Sequence, residues 1–284
     1  MVLIPVTVLC LLIAFFVFEL LISKYGLAVS SYTVTADTAA GGVRILQLTD
    51  LHNSTFGKDN SRLIEKAAAQ EPDLILLTGD LVNSDEESTE TAVHLIAALS
   101  EIAPVYISLG NHELEHEANF GTDITALYEA AGGTVLEMEY IDIEVNGTAL
   151  RIGGLYGYCI PARYLETNEA DPEECAFLTD LQETDRYTIL LTHMPVCWIL
   201  NNGISEWDID LVFTGHAHGG QIILPFVGGL WAPDQGWFPG RLQGLMYSDD
   251  GTNTLVLSRG LGSSEVIPRW NNVPEIVVVD LEGG

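Results

Sequence analysis

Short apolar runs, each closed by turn or polar residues, recur along the 284-residue chain from residue 43 onward: "VRILQLTD", "DLILLTGD", "PVYISLGN", "YTILLTH" and "DLVFTGH". Runs of this length predict strands buried on both faces. Between several of them the apolar spacing becomes helical, as in "SRLIEKAAAQ" behind a capping Ser61 and "TAVHLIAAL" behind Ser88 or Thr89. Other runs have a second style. "YIDIEVNGTALRIGGL" alternates and turns at Asn146-Gly147, a strong hairpin signal, and the tail from "TNTLVLS" to "PEIVVVDL" adds strands without clear helices between them. Together these patterns predict an α/β fold, a four-layer α-β-β-α sandwich of two mixed sheets flanked by helices.

The first segment, "MVLIPVTVLCLLIAFFVFELLISKYG", follows neither period. It is apolar from Val2 to Phe18 and continues past Glu19 through Ile22, a length that suits a bilayer span of about 20 residues. A cleaved signal peptide is the competing reading, and "LAVSS" offers small residues for cleavage, but no Lys or Arg precedes Lys24 as a positive leader would require. The expectation is therefore an uncleaved single-pass transmembrane anchor over residues 1–23. A small, polar linker over residues 24–42 and one large domain over residues 43–284 follow. Lys24 alone flanks the span, which leaves orientation open, with the extracytoplasmic side favoured.

Charge removes one class of partner. With 11 Lys and Arg against 40 Asp and Glu, the formal charge of −29 repels nucleic acid. The four cysteines are widely separated, with no C-x-x-C pair, and suggest neither a disulfide framework nor a zinc knuckle, although a Cys159–Cys175 bridge stays open.

The strand ends carry the chemistry. Read in order they offer Asp50 and His52, Asp80, Asn111 and His112, His193, and then His216 and His218 in "GHAH". Groups spread along a sequence converge beyond the carboxyl ends of strands in such folds. Any one of these residues alone reads as turn or core chemistry. Turn chemistry, however, does not place five of the seven histidines at strand ends. His94, within a helical pattern, and His116, in an acidic stretch, read as structural or solvent-exposed. Imidazole with carboxylate suits Zn, Mn or Fe, and a carboxylate shared by two cations holds them about 3.5–4 Å apart. Asp80 is the candidate shared ligand.

In this order the blocks D-x-H, G-D, G-N-H, H and G-H-x-H resemble those of the calcineurin-like metallophosphoesterase superfamily, and the likeness runs from about Val43 to the C-terminus. The resemblance implies that residues 43–284 are a metallophosphoesterase catalytic domain with two divalent ions. One ion would be held by Asp50, His52, Asp80 and His218, and the other by Asp80, Asn111, His193 and His216. His112 would donate a proton or hydrogen bond in the transition state. A metal-bridging hydroxide would attack phosphorus directly, without a Ser or Cys nucleophile. One departure is visible: Asn83 stands where the protein-phosphatase branch carries an Asp partnering the catalytic histidine. Glu113 reads as solvated.

The sequence is more closely similar to membrane-anchored bacterial phosphoesterases, which combine an N-terminal apolar segment with "GHAHGGQIILP" and "PDQGWFPG". That likeness implies a phosphodiester or pyrophosphate substrate, including lipid-linked ones of the UDP-2,3-diacylglucosamine type, and a role in lipid metabolism. The Gly- and Pro-rich stretch from Gly219 to Gly244, with Phe226, Trp231, Trp237 and Phe238, reads as a long loop beside the metals. A phosphomonoesterase or nucleotidase is an alternative, as is a binding scaffold without catalysis. No arginine clamp for a terminal phosphate is legible near the motifs, although Arg163, Arg241 and Arg259 could fold in.

Overall fold

A computed structural model describes residues 3–36, 41–156, 171–200, 202–233, 235–240, 242–263 and 267–284. Two six-stranded mixed sheets stack face to face. The first contains β1 (Ala28–Thr35), β2 (Val43–Leu48), β3 (Leu74–Thr78), β4 (Val105–Ser108) and β5 (Gly133–Val135), together with the last strand of the chain, Glu275–Glu282. The second contains β6 (Glu139–Val145), β7 (Thr148–Leu155), β8 (Tyr187–Thr192) and β9 (Leu211–Thr214). After two small hairpins, β10 (Ile223–Leu224) with β11 (Gly228–Gly229) and β12 (Trp231–Ala232) with β13 (Gly236–Trp237), it is completed by β14 (Gly244–Tyr247) and β15 (Thr254–Leu257). The last strand, Glu275–Glu282, is β16. The spatial orders are β1-β16-β2-β3-β4-β5 and β14-β15-β9-β8-β7-β6.

The period of two along each strand sorts the core into three layers. In β2 and β3, Ile45, Leu74 and Leu76 face the other sheet and meet Ile152, Ile189 and Phe213. Their neighbours Leu46, Leu48, Ile75 and Leu77 face outward, under α2 (Ser61–Ala68), α3 (Glu90–Ser100) and α5 (Ile124–Ala130). The outer face of the second sheet is covered by α6 (Pro172–Gln182) and the short helices α7 (Val196–Ile199) and α8 (Gly203–Glu206). Along the chain, α4 (Asn111–Phe120) follows β4 and precedes α5. The hairpin read at Asn146-Gly147 joins β6 to β7, with φ of 51° and 80° at the two turn residues, the left-handed pair such a tight turn requires.

The first helix, α1 (Leu3–Tyr25), contains a 20-residue stretch, Val6–Tyr25, that is long and apolar enough to cross a membrane. An anchor and a signal sequence share that property. The linker expected over residues 24–42 is corrected for residues 28 to 35. They form β1, paired in parallel with β16 from Ala28↔Glu275 to Thr35↔Glu282. The reason is its edge position: Tyr32 and Val34 pack into the layer between the sheets while Ser31, Thr33 and Thr35 face solvent. Half of the strand thus has linker composition. Cys159 lies outside the described residues, and with it the Cys159–Cys175 bridge considered above.

Candidate metal centre

Parallel strands β2, β3 and β4 are neighbours in one sheet, and β8 and β9 in the other, so their carboxyl ends meet at one rim of the sandwich. Buried polar groups stitch the sheets together there. Gln47 Nε2 donates to Thr78 Oγ1 (2.9 Å) and to the Thr214 carbonyl (3.0 Å), and the His216 N–H donates to Asp50 Oδ1 (3.0 Å). The chain turns sharply as it leaves each strand. Asp50, His52, Asp80, His216 and His218 all have φ between 46° and 64°, a left-handed region that non-glycine residues seldom occupy and that gathers at functional sites. The space is too tight for larger neighbours: a Cβ on Gly260, itself at φ 69°, would stand 2.6 Å from the Asp50 Cβ.

All eight residues singled out at the strand ends lie at this rim. Asp50, His52 and His218 form one group whose ligand atoms lie within 4.8 Å of one another, and Asp80, His193 and His216 form another. Between them stands Asp80, whose Oδ2 is 3.6 Å from His52 Nε2 and 3.0 Å from His193 Nε2. His218 Nε2 is 3.6 Å from Asp50 Oδ1, and His216 Nδ1 faces His193 Nε2 at 3.2 Å. His52 Nε2 and Asn111 Oδ1 are buried with no hydrogen-bond partner. Orphaned lone pairs of this kind are costly in a protein interior unless something coordinates them.

Second contacts set the tautomers. His193 Nδ1–H donates to the Thr78 carbonyl (2.7 Å) and His52 Nδ1–H to Asn83 Oδ1 (3.1 Å), which turns both Nε2 atoms inward, as supporting groups do for metal-ligating histidines. Burial pushes the His52 ring down to about 3. Burial also lowers His218, helped by the neighbouring His52 ring and the positive charge of Arg269. His193 resists the same burial because Asp80 and then Asp50 hold its proton, raising it to about 10. His193 in turn holds the Asp80 carboxylate well below its ordinary range against the cost of burial.

His112 is half-buried at the edge of the site. Its Nδ1 accepts the Ser84 N–H (3.0 Å), so the ring proton sits on Nε2, and its ring meets His52 edge to face at 4.6 Å. Asn83 does not partner His112: it supports His52, and His112 Nδ1 instead accepts the Ser84 N–H, a donor where an Asp would be an acceptor. His94 is exposed, while His116 is buried with its Nε2 3.2 Å from the Glu87 carbonyl oxygen.

Glu113, read as solvated, is fully buried. Its carboxylate accepts the N–H groups of Asp80 (2.8 Å), Leu81 (2.6 Å) and Gly110 (2.8 Å) and the Tyr128 hydroxyl (3.1 Å), clamping the Asp80 turn to the start of α4. Burial and the nearby Asp80 raise its pKa. Glu113→Ala strands several buried donors at roughly 1–3 kcal/mol each. We expect it to lower the unfolding free energy by about 3 kcal/mol or more in a denaturant titration, with Glu113→Gln milder. An unchanged midpoint for Glu113→Ala would refute the clamp.

Sequence reasoning missed Arg269. Buried in the segment before β16, it donates to the carbonyls of Arg259 (2.6 Å) and Gly262 (2.6 Å) and lies 3.5 Å from His218 Nδ1. Arg259 itself is committed to Glu275 (2.6 Å), and Arg163 and Arg241 lie outside the described residues.

Residues 43–220 match the family model for calcineurin-like phosphoesterases. The chain is 30% identical over 257 residues to phosphodiesterase YaeI of Escherichia coli, covering 85% of this chain and 83% of that one. It is 29% identical over 261 residues to an uncharacterized metallophosphoesterase of Campylobacter jejuni, covering 90% of this chain but only 63% of the length of that relative. In fold it is similar to a 5'-nucleotidase precursor from Thermus thermophilus, with a TM-score of 0.51 at 15% identity over 78% of this chain and 49% of the other. The match over most of the sandwich, with its Asp, Asn and His residues gathered at one rim, places the chain in the calcineurin-like phosphoesterase family.

Proposed function

We propose that this chain is a phosphoester hydrolase with a dinuclear centre, in which Asp50, His52, Asp80 and His218 hold one divalent ion and Asp80, Asn111, His193 and His216 hold the other. The observation that carries this reading is the position of Asp80, one of whose oxygens reaches toward both His52 and His193. The donor set of imidazole, carboxylate and amide oxygen suits Mn, Zn or Fe, and the orphaned His52 Nε2 and Asn111 Oδ1 are the lone pairs such ions would satisfy. When bound, two such ions supply Lewis acidity and a hydroxide nucleophile at neutral pH.

The remaining work belongs to the chain. Asn83 and the Thr78 carbonyl orient two imidazoles, Glu113 fixes the Asp80 turn, and burial keeps His52 neutral and able to donate a lone pair. His112, with its proton on Nε2, is the hydrogen-bond donor to charge developing on the phosphoryl or leaving oxygen. The substrate class is a phosphodiester or pyrophosphate with an apolar part, consistent with the phosphodiesterase among the relatives and with α1 as a membrane anchor on residues 43–284.

A panel of mono-, di- and pyrophosphate esters tests the reading on full-length protein in detergent. We expect no turnover after chelation, recovery with Mn or Zn, and preference for the diester or pyrophosphate. Preference for the monoester would move the assignment to a nucleotidase-type reaction. Inactivity with every metal would leave a non-catalytic scaffold.

A further inference from the structure

We propose that the rim carrying the candidate metal centre is also the membrane-docking face of the protein, with α1 and the exposed aromatic hairpins after β9 entering one bilayer side by side. The proposal rests on α1 as a span and deepens the phosphoesterase reading by naming where its substrate lies: in the lipid headgroup layer.

The sense of one strand carries most of the argument. Ala28 pairs with Glu275 and Val277 with Gln47. The start of β1 is therefore level with the end of β2, where the chain runs on to Asp50. Since α1 ends at Tyr25, three residues before β1 begins, the helix leaves the sandwich from the catalytic rim. Had β1 run the other way, an eight-residue strand would have carried that exit about 25 Å away, to the opposite end of the sheet.

The helix is fastened at that rim. The Asn272 N–H donates to Ser23 Oγ in the last turns of α1 (3.0 Å), while Asn272 Nδ2 donates to the carbonyls of His218 (2.7 Å) and Gln221 (3.1 Å). Two hydrogen bonds through a single residue thus separate α1 from the loop bearing a candidate ligand. Trp270 stacks on Phe16 of α1 at 5.8 Å and meets Phe15 edge-on at 6.4 Å. Lys66 and Arg62 donate to the Leu27 and Tyr25 carbonyls (2.7 and 3.2 Å).

The loop from β9 to β14 lies at the same rim, because Thr214 and Gly244, its two ends, both pair with Leu257. On it Phe226, Val227, Trp237 and Phe238 are exposed. Its first hairpin is hydrogen-bonded to the segment that touches α1: the Ile223 N–H donates to the Trp270 carbonyl (3.0 Å) and the Trp270 N–H to the Gln221 carbonyl (3.1 Å). Four large apolar side chains in water are unfavourable, whereas Trp and Phe beside a span suit the interfacial layer. The charge of −29 gives no attraction to anionic lipid, so docking must be apolar. A phosphoester in the headgroup layer would then face the site without leaving the membrane.

The test reads immersion, not catalysis. Full-length protein is placed in phosphatidylcholine nanodiscs with and without brominated acyl chains, and quenching of tryptophan emission is compared among variants. We expect brominated lipid to quench wild type. Trp237→Phe and Trp270→Phe should each remove part of the quenched emission. Trp207→Phe, at the opposite end before β9, should remove none of it. An unchanged quenched share in both Trp237→Phe and Trp270→Phe, or its loss in Trp207→Phe, overturns the proposal. So does burial of Trp237 that follows protein concentration instead of lipid, as a second copy on this rim would cause. Hydrolysis of soluble bis(4-nitrophenyl) phosphate by the same samples separates the two readings. Quenching with no hydrolysis under any metal keeps the docking face and sinks the hydrolase, and hydrolysis without quenching does the reverse.

Discussion

His112→Ala should keep its full complement of metal and lose kcat by about 10²–10⁴-fold, the usual contribution of a positioned proton donor. The expectation follows from where the ring is tied. Its Nδ1 is occupied by the Ser84 N–H, and the backbone N–H of residue 112, which donates to Asp80 Oδ1 (2.9 Å), survives the substitution. The change therefore removes the Nε2 proton while sparing the Asp80 turn. Because His112 lies within ligand reach of His52 and Asp80, metal content must be measured alongside rate. Loss of one ion together with activity would make His112 a ligand, and an unchanged kcat would deny it any role in the reaction.

Asp80→Asn should deplete both metal sites at once. The carboxylate is buried between the two histidine groups, and His193 holds it ionised despite that burial. Asparagine keeps the size and an acceptor for the His112 N–H but removes the charge and one anionic oxygen. The affinity lost should exceed the roughly 10–100-fold that removal of a mere supporting group costs. Elemental analysis under limiting Mn or Zn checks this against Asp50→Asn, which should affect mainly one ion. If Asp80→Asn loses no more metal than Asp50→Asn, Asp80 is not shared and the dinuclear assignment falls.

The strand ends were legible because a strand buried on both faces is a short, unmistakable run, and the residue after it stands at a rim whatever the topology. Glu113 was not legible. In "NHELEHE" it looks like one of several acids on a wet helix face, and only the folding of the Asp80 turn onto α4 brings the Asp80 and Leu81 N–H groups to it. Asn83 was read from "GDLVN" as standing where a related branch carries an Asp beside the catalytic histidine, yet its side chain reaches His52. Arg269 follows a proline in an aperiodic segment, with nothing local to mark it as buried.

By itself the sequence determined the layered α/β class, the Asn146-Gly147 hairpin, the apolar helix at the N-terminus and the residue types offered at the strand ends. Each depends on spacing along a few neighbouring residues, where side-chain period and turn stereochemistry act directly. Only the tertiary structure decided that residues 28 to 35 are an edge strand, which way that strand runs, which nitrogen of His52, His112 and His193 is tied, and that α1 is bolted to the His218 loop through Asn272. Those outcomes are set by pairings across more than two hundred residues in β1 and Asn272, and by buried donors that must find acceptors wherever packing has put them.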